Sequence, residues 1–190
     1  AGQDTSFCSN DFQLTLNASP GASSYLWSTG ETTQNIEISN EGTYQVQATT
    51  INNCIYSDLV SIVLNNLPEV NISASSREEC SPGYISFTDL STTEDGEIIQ
   101  WEWYFEGAEN SSETHPFTNW SDPGKFDVGL FVQTNNGCTD SILLTDYINI
   151  LPTPKANFLT NPLSIDWCNP KIQFINTSTN YTYAVWDFGD

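Results

Sequence analysis

Apolar and polar positions alternate with a period of two along most of the chain. Trp101, Trp103 and Phe105 fall on one side of an extended segment and Glu102, Tyr104 and Glu106 on the other, because successive strand side chains point to opposite faces. Similar short runs occupy Phe12 to Leu16, Ser24 to Trp27, Asn35 to Ser39, Thr43 to Thr49 and Asp58 to Leu64. A second series follows at Val70 to Ala74, Tyr84 to Asp89, Ile98 to Phe105, Lys125 to Thr134 and Ser141 to Ile150. Turn-forming strings separate the early runs: Ser19-Pro20-Gly21, Ser28-Thr29-Gly30, Asn40-Glu41-Gly42 and Asn52-Asn53. Ser91 to Gly96 and Ala108 to Pro123 read as polar loops. No stretch sustains a helical period, and short strands at this spacing predict an all-β chain of tandem sandwiches.

Two proline-bearing strings, Asn65-Asn66-Leu67-Pro68 and Leu151-Pro152-Thr153-Pro154, mark linkers and divide the chain into 1–66, 67–151 and 152–190. The third segment repeats the second. Cys168-Asn169-Pro170 through Phe174 parallels Cys80-Ser81-Pro82 through Phe87, an offset of 168 − 80 = 88 residues. Thr177-Ser178-Thr179 parallels Ser91-Thr92-Thr93, and Trp186-Asp187-Phe188-Gly189 parallels Trp103-Tyr104-Phe105-Glu106. An offset of that size suits one sandwich module. The long closing hairpin of the second segment has no counterpart in the third, so 152–190 is expected to be the first part of an incomplete module and the chain a fragment of a longer one.

Charge narrows the partners. Twenty-four acids against four bases give a net charge of −20, a surface that repels nucleic acid phosphate and anionic lipid. No run approaches the roughly 20 apolar residues that span a bilayer. The five cysteines form no Cys-x-x-Cys pair, which argues against a zinc ribbon. Cys8 precedes the first run and Cys54 the last run of the first segment; Cys80 and Cys138 frame the second. The expected disulfides are Cys8–Cys54 and Cys80–Cys138, in an exported protein, with the partner of Cys168 outside the chain; the alternative is buried free thiols.

Candidate chemistry is sparse. His115 is the sole imidazole, in a Thr-His-Pro loop, and no serine or cysteine motif marks a nucleophile beside it. Glu94, Asp95 and Glu97 around Gly96 could present oxygen ligands to calcium, as could Asp187 and Asp190, although the spacing is not that of an EF-hand. The plainer reading is a solvated acidic turn. Trp27, Trp103 and Trp186, each 18 to 23 residues after a cysteine, are expected in the core, whereas Trp120 and Trp167, flanked by polar residues, are the candidates for exposed contact.

These strings carry a resemblance. Phe87-Thr88-Asp89-Leu90-Ser91, Trp103-Tyr104-Phe105-Glu106-Gly107, Pro123-Gly124-Lys125-Phe126-Asp127-Val128 and Asn136-Gly137-Cys138 make residues 80–150 resemble a PKD (polycystic kidney disease) domain, an immunoglobulin-like sandwich. Trp186-Asp187-Phe188-Gly189-Asp190 is similar to that family's Trp-Asp-Phe-Gly-Asp-Gly signature; the second segment departs from it at Tyr104 and at Glu106-Gly107. Residues 1–66, through Trp27-Ser28-Thr29-Gly30-Glu31-Thr32-Thr33, Gly42-Thr43-Tyr44-Gln45-Val46 and Asn53-Cys54, resemble short immunoglobulin-like repeats of Bacteroidetes surface proteins. The combination is similar to large gliding-motility adhesins exported by the type IX system. That resemblance implies an immunoglobulin-like module followed by PKD-type modules, in a non-catalytic extracellular stalk or adhesin segment at the cell surface. Neighbouring repeats, surface polysaccharide or other surface proteins would be its partners. It also implies O-glycosylation at Ser141, since Asp140-Ser141-Ile142 resembles the Asp-Ser/Thr-apolar acceptor sequence of that group. The alternatives are an accessory region of a secreted hydrolase that helps engage polysaccharide or protein, and a calcium-dependent assembly module.

Overall fold

The computed structural model describes residues 2–8, 12–161, 168 and 171–189. Its strands are β1 (Thr5–Cys8), β2 (Leu14–Asn17), β3 (Ser24–Trp27), β4 (Asn35–Ile38), β5 (Gly42–Thr49), β6 (Ile55–Asn65), β7 (Ile72–Ala74), β8 (Glu78–Cys80), β9 (Gly83–Asp89), β10 (Ile98–Phe105), β11 (Phe117–Trp120), β12 (Gly124–Thr134), β13 (Thr139–Leu151), β14 (Phe158–Asn161) and β15 (Gln173–Asn176). No helix occurs among the described residues. The all-β expectation holds. By contacts the chain forms two compact units, one of residues 1–72, 89–102 and 130–142, the other of 73–88, 103–129 and 143–190.

In the first unit a four-stranded sheet, ordered β1-β6-β5-β3, and the β2-β4 pair supply one core. Leu16, Trp27, Ile36, Ile38, Val46, Val60 and Ile62 fill it, drawn from alternate positions of β2 to β6. Alternation explains their selection: β4 reads Asn-Ile-Glu-Ile and buries only its two isoleucines. The Trp-Ser-Thr-Gly string has a local purpose. Trp27 is buried while its Nε1–H donates to the Thr33 carbonyl at 2.9 Å, across a turn whose Gly30 lies at φ +94°. Glycine is suited there because a left-handed residue costs it no steric strain.

The second unit is built on aromatic rings. Phe87 of β9, Trp103 and Phe105 of β10 and Trp120 of β11 are each 1% exposed. Phe87 sits 5.7 Å from the Trp103 ring, 4.8 Å from Phe105 and 6.4 Å from Trp120. The alternation of β10 is as expected, with Trp103 and Phe105 inward and Glu102, Tyr104 and Glu106 exposed. Glu106 and Gly107 make the turn that the resemblance would build from Gly-Asp-Gly. Glu106 N–H donates to the Asp127 carbonyl, its carboxylate accepts from Asp127 N–H at 3.0 Å, and Gly107 has φ +70°.

Two expectations about tryptophan need correction. Trp120 is not exposed: residues 117–120 form β11 inside the stretch read as a loop, antiparallel to β9, and the indole Nε1–H donates to the Glu106 carbonyl at 2.7 Å. Trp186 is 39% exposed, although it packs on Phe158, Phe174 and Phe188. Trp167 lies outside the described residues.

The third segment copies the second in its backbone hydrogen bonds. Glu69 and Thr92 exchange N–H···O bonds as Lys155 and Thr179 do. Asn71 is held by the Ser91 hydroxyl as Asn157 is by the Ser178 hydroxyl. Ser91 N–H donates to the Asp89 side chain as Ser178 N–H does to Asn176. Phe174, Trp186 and Phe188 likewise reproduce the Phe87, Trp103 and Phe105 cluster. The matching offset for this loop is 178 − 91 = 87, so Thr177 corresponds to Leu90 and Ser178 to Ser91, one residue off the alignment read from sequence.

The disulfide expectation is overturned. Cys8 is bonded to Cys138, with Cα atoms 5.3 Å apart. Cys54 and Cys80 are exposed free thiols. Strand geometry accounts for the difference. β1 runs parallel to β6 and sets Cys8 opposite Asn65, the last residue of β6, whereas Cys54 precedes its first. Eleven residues at about 3.3 Å each separate those two places by roughly 35 Å, far beyond the reach of a disulfide. In the same way β8 pairs Cys80 with Leu151 at the end of β13, and Cys138 precedes the start of that strand.

Candidate functional site: the clamped segment Asn65 to Glu69

Residues 65–69, of which 65–68 read from sequence as a linker, are held from three sides. Asn66 N–H donates to Asp95 Oδ2 at 2.7 Å, and Asn66 Nδ2 donates to Glu94 Oε2 at 3.1 Å. Hydrogen bonds to a carboxylate are stronger than neutral ones. Asn136 Nδ2 donates to Asn65 Oδ1 at 3.4 Å, and Cys138 Sγ lies 3.9 Å from the Asn65 carbonyl oxygen. The Cys8–Cys138 bond closes the third side, and the Glu69–Thr92 bridge fixes the exit from the segment.

The acidic loop that reaches Asn66 is shaped by its own sequence. Thr93 Oγ1 donates to the Asp95 carbonyl and accepts from Asp95 N–H, a local turn typical of hydroxyl side chains. Gly96 follows at φ +83°, and a Cβ there would stand 2.1 Å from Asn135 Oδ1. That amide oxygen accepts from Glu97 N–H, while Asn135 N–H donates to the Glu97 carbonyl. Gly96→Ala therefore meets strain and a polar clash together, and is expected to lower stability by about 1–3 kcal/mol. Urea unfolding followed by tryptophan fluorescence reads the loss; a midpoint equal to wild type would show that the loop is not held in this geometry.

The candidate calcium ligands make the following contacts. Glu94 and Asp95 accept from Asn66, and Glu97 contributes backbone atoms. Asp187 Oδ1 accepts from Gly189 N–H at 2.8 Å in a local turn, and Asp190 lies outside the described residues. Among the described residues no three His, Cys, Asp or Glu side chains gather as a group able to hold a metal ion. Asn66, Asn135, Asn136 and the Cys8–Cys138 pairing were not singled out in the sequence. A signal was present in the two strings Thr50 to Cys54 and Thr134 to Cys138, which share threonine at the first place and cysteine at the fifth.

Ser141 is exposed near the start of β13, its N–H bonded to Asp140 Oδ1, and Asp140 is exposed beside it while Ile142 is half-buried. His115 and Cys168 are exposed as well.

The clamp begins at Asn65, and so does a family match. Residues 65–150 match the PKD-domain family. The matched segment takes in Asn66, the acidic loop and the turn at Cys138, whereas Cys8 lies outside it. Among solved structures, the PKD1 domain of Vibrio anguillarum Epp is 26% identical, with a TM-score of 0.40, covering 45% of this chain and 98% of that one. The PKD1 domain of the Vibrio cholerae metalloprotease PrtV is 20% identical, with a TM-score of 0.39, covering 44% of this chain and 98% of that one. The fibronectin(III)-like modules of Clostridium thermocellum CbhA are 13% identical, with a TM-score of 0.39, covering 79% and 90%. No curated protein sequence matches the chain.

Proposed function

We propose that the chain is a non-catalytic, extracellular segment of a repetitive cell-surface protein, serving as a stalk in surface adhesion or gliding. The observation that carries this reading is the clamped segment at Asn65 to Glu69. A spacer works by holding successive modules in a fixed relation, and here a disulfide, two carboxylate-accepted hydrogen bonds and a backbone bridge converge on five residues. The PKD segment and the disulfide agree with an oxidising, extracellular setting. The charge of −20 favours solubility and discourages collapse of one acidic surface on another.

The test is an in-frame deletion of residues 1–190 in the source cell. Loss of cell attachment to a surface, with the activity of secreted hydrolases unchanged, is the expected result. Unchanged attachment together with reduced degradation of polysaccharide or protein would sink the stalk reading in favour of a hydrolase accessory region.

A further inference from the structure

Cys8 and Cys138 have counterparts in the chain, and the counterparts are Cys80 and Cys54, both exposed thiols. Cys8 is the last residue of a short strand that runs parallel to a closing strand, opposite that strand's last residue, Asn65. Cys80 is the last residue of β8, parallel to β13 and opposite its last residue, Leu151. A linker follows at once in both cases.

The turn cysteines correspond just as closely. Thr134 N–H donates to the Cys138 carbonyl at 2.8 Å, Gly137 N–H to the Thr134 carbonyl at 2.9 Å, and Cys138 N–H to Thr134 Oγ1 at 3.1 Å. Thr50 N–H donates to the Cys54 carbonyl at 2.9 Å, Asn53 N–H to the Thr50 carbonyl at 2.9 Å, and Cys54 N–H to Thr50 Oγ1 at 3.2 Å. Gly137 and Asn53 both have positive φ, 83° and 60°. Within the bonded pair Cys138 is fully buried and Cys8 half-buried, while Cys54 and Cys80 are exposed.

We propose that Cys80 is the first-strand half of a second disulfide of the same kind, and that its partner is the turn cysteine of the repeat that opens at Lys155. The pairing rule is that the first-strand cysteine of one module bonds the turn cysteine of the next. The module that must supply the partner is already recognisable. The Lys155–Thr179 bridge, the Asn157–Ser178 bonds and the ring cluster at Phe174, Trp186 and Phe188 reproduce the opening of the repeat that supplies Cys138. With the 87-residue offset, its turn cysteine stands about 87 residues after Cys138, past Asp190. The bond forms by thiol–disulfide exchange with a small-molecule or protein disulfide as oxidant. Two protein thiols become one disulfide, and the oxidant's disulfide takes up the two electrons and two protons as two thiols.

Disulfide mapping of the full natural protein tests this. The protein is alkylated before denaturation, digested with Glu-C without reductant and read by mass spectrometry. The expected result is Cys80 joined to a cysteine C-terminal to Pro154 that stands fifth in a string beginning with threonine, as Cys138 does. Alkylated Cys80, or Cys80 joined to Cys54, Cys138 or Cys168, overturns the proposal. The Cys8–Cys138 peptide in the same digest certifies the native fold. As a second measurement, Cys80→Ser should leave that later turn cysteine open to alkylation and the Cys8–Cys138 peptide unchanged; if the later cysteine stays blocked, the pairing is wrong.

Discussion

Cys8→Ala is expected to lower the unfolding free energy by up to about 5 kcal/mol, the largest effect available from a single side chain here. The bond closes a loop of 130 residues, and the loop-entropy relation gives a denatured-state restriction of about that size, from which native strain subtracts. The bond is one object, so its loss is counted once. Reductant should shift the urea midpoint of the wild type to that of Cys8→Ala and leave the variant where it was. Coincident midpoints for wild type and Cys8→Ala in oxidising buffer would show that Cys8 is not bonded. Cys54→Ala is the contrast: an exposed free thiol whose removal should change stability by less than about 0.5 kcal/mol.

The second large effect comes from one ring position that occurs twice. Phe87→Ala removes a side chain that is 1% exposed and touches Trp103, Phe105 and Trp120, and should cost about 3–5 kcal/mol. Phe174→Ala removes its counterpart, which touches Phe158, Trp186 and Phe188 but is 37% exposed. Its ring is already partly in water, so the loss falls to roughly 1–2 kcal/mol. Urea unfolding of both variants decides the matter, and equal losses would mean that the third segment is packed as tightly as the second.

Much of the architecture could be read from the residues. Alternation located ten of the strands to within a few residues and assigned Trp103 and Phe105 to the inner face of β10, because a half-buried strand must separate apolar from polar positions. Five strands were not located: β14 and β15 lie in the third segment, and the other three have weak patterns. β8 is Glu-Glu-Cys, β1 has four residues with one large apolar side chain, and β11 sits in a polar stretch where Phe117 points outward and only Thr118 and Trp120 point in.

Missing β1 and β8 had a consequence for the cysteines. Spacing along a chain tells which strands a cysteine precedes, not at which end of a sheet it stands. Once β1 is known to run parallel to β6, Cys8 moves to the end of the sheet away from Cys54. The contacts of the acidic loop were hidden for a related reason. Glu94 and Asp95 look like ligands because carboxylates near a glycine suit a cation, and the groups that hydrogen-bond them come from Asn66, 28 and 29 residues away. The glycine is there for Asn135. Complementary amides at that separation leave no local signature.

The Cys8–Cys138 bond also decides how a pull along the chain is transmitted. Tension applied before residue 8 and after residue 138 passes through the sulfur atoms and bypasses the residues between them. At roughly 3.5 Å per residue, about 450 Å of contour length stays slack until the bond is reduced. Under load the first sandwich is a passenger, and the strand that takes the strain is β13.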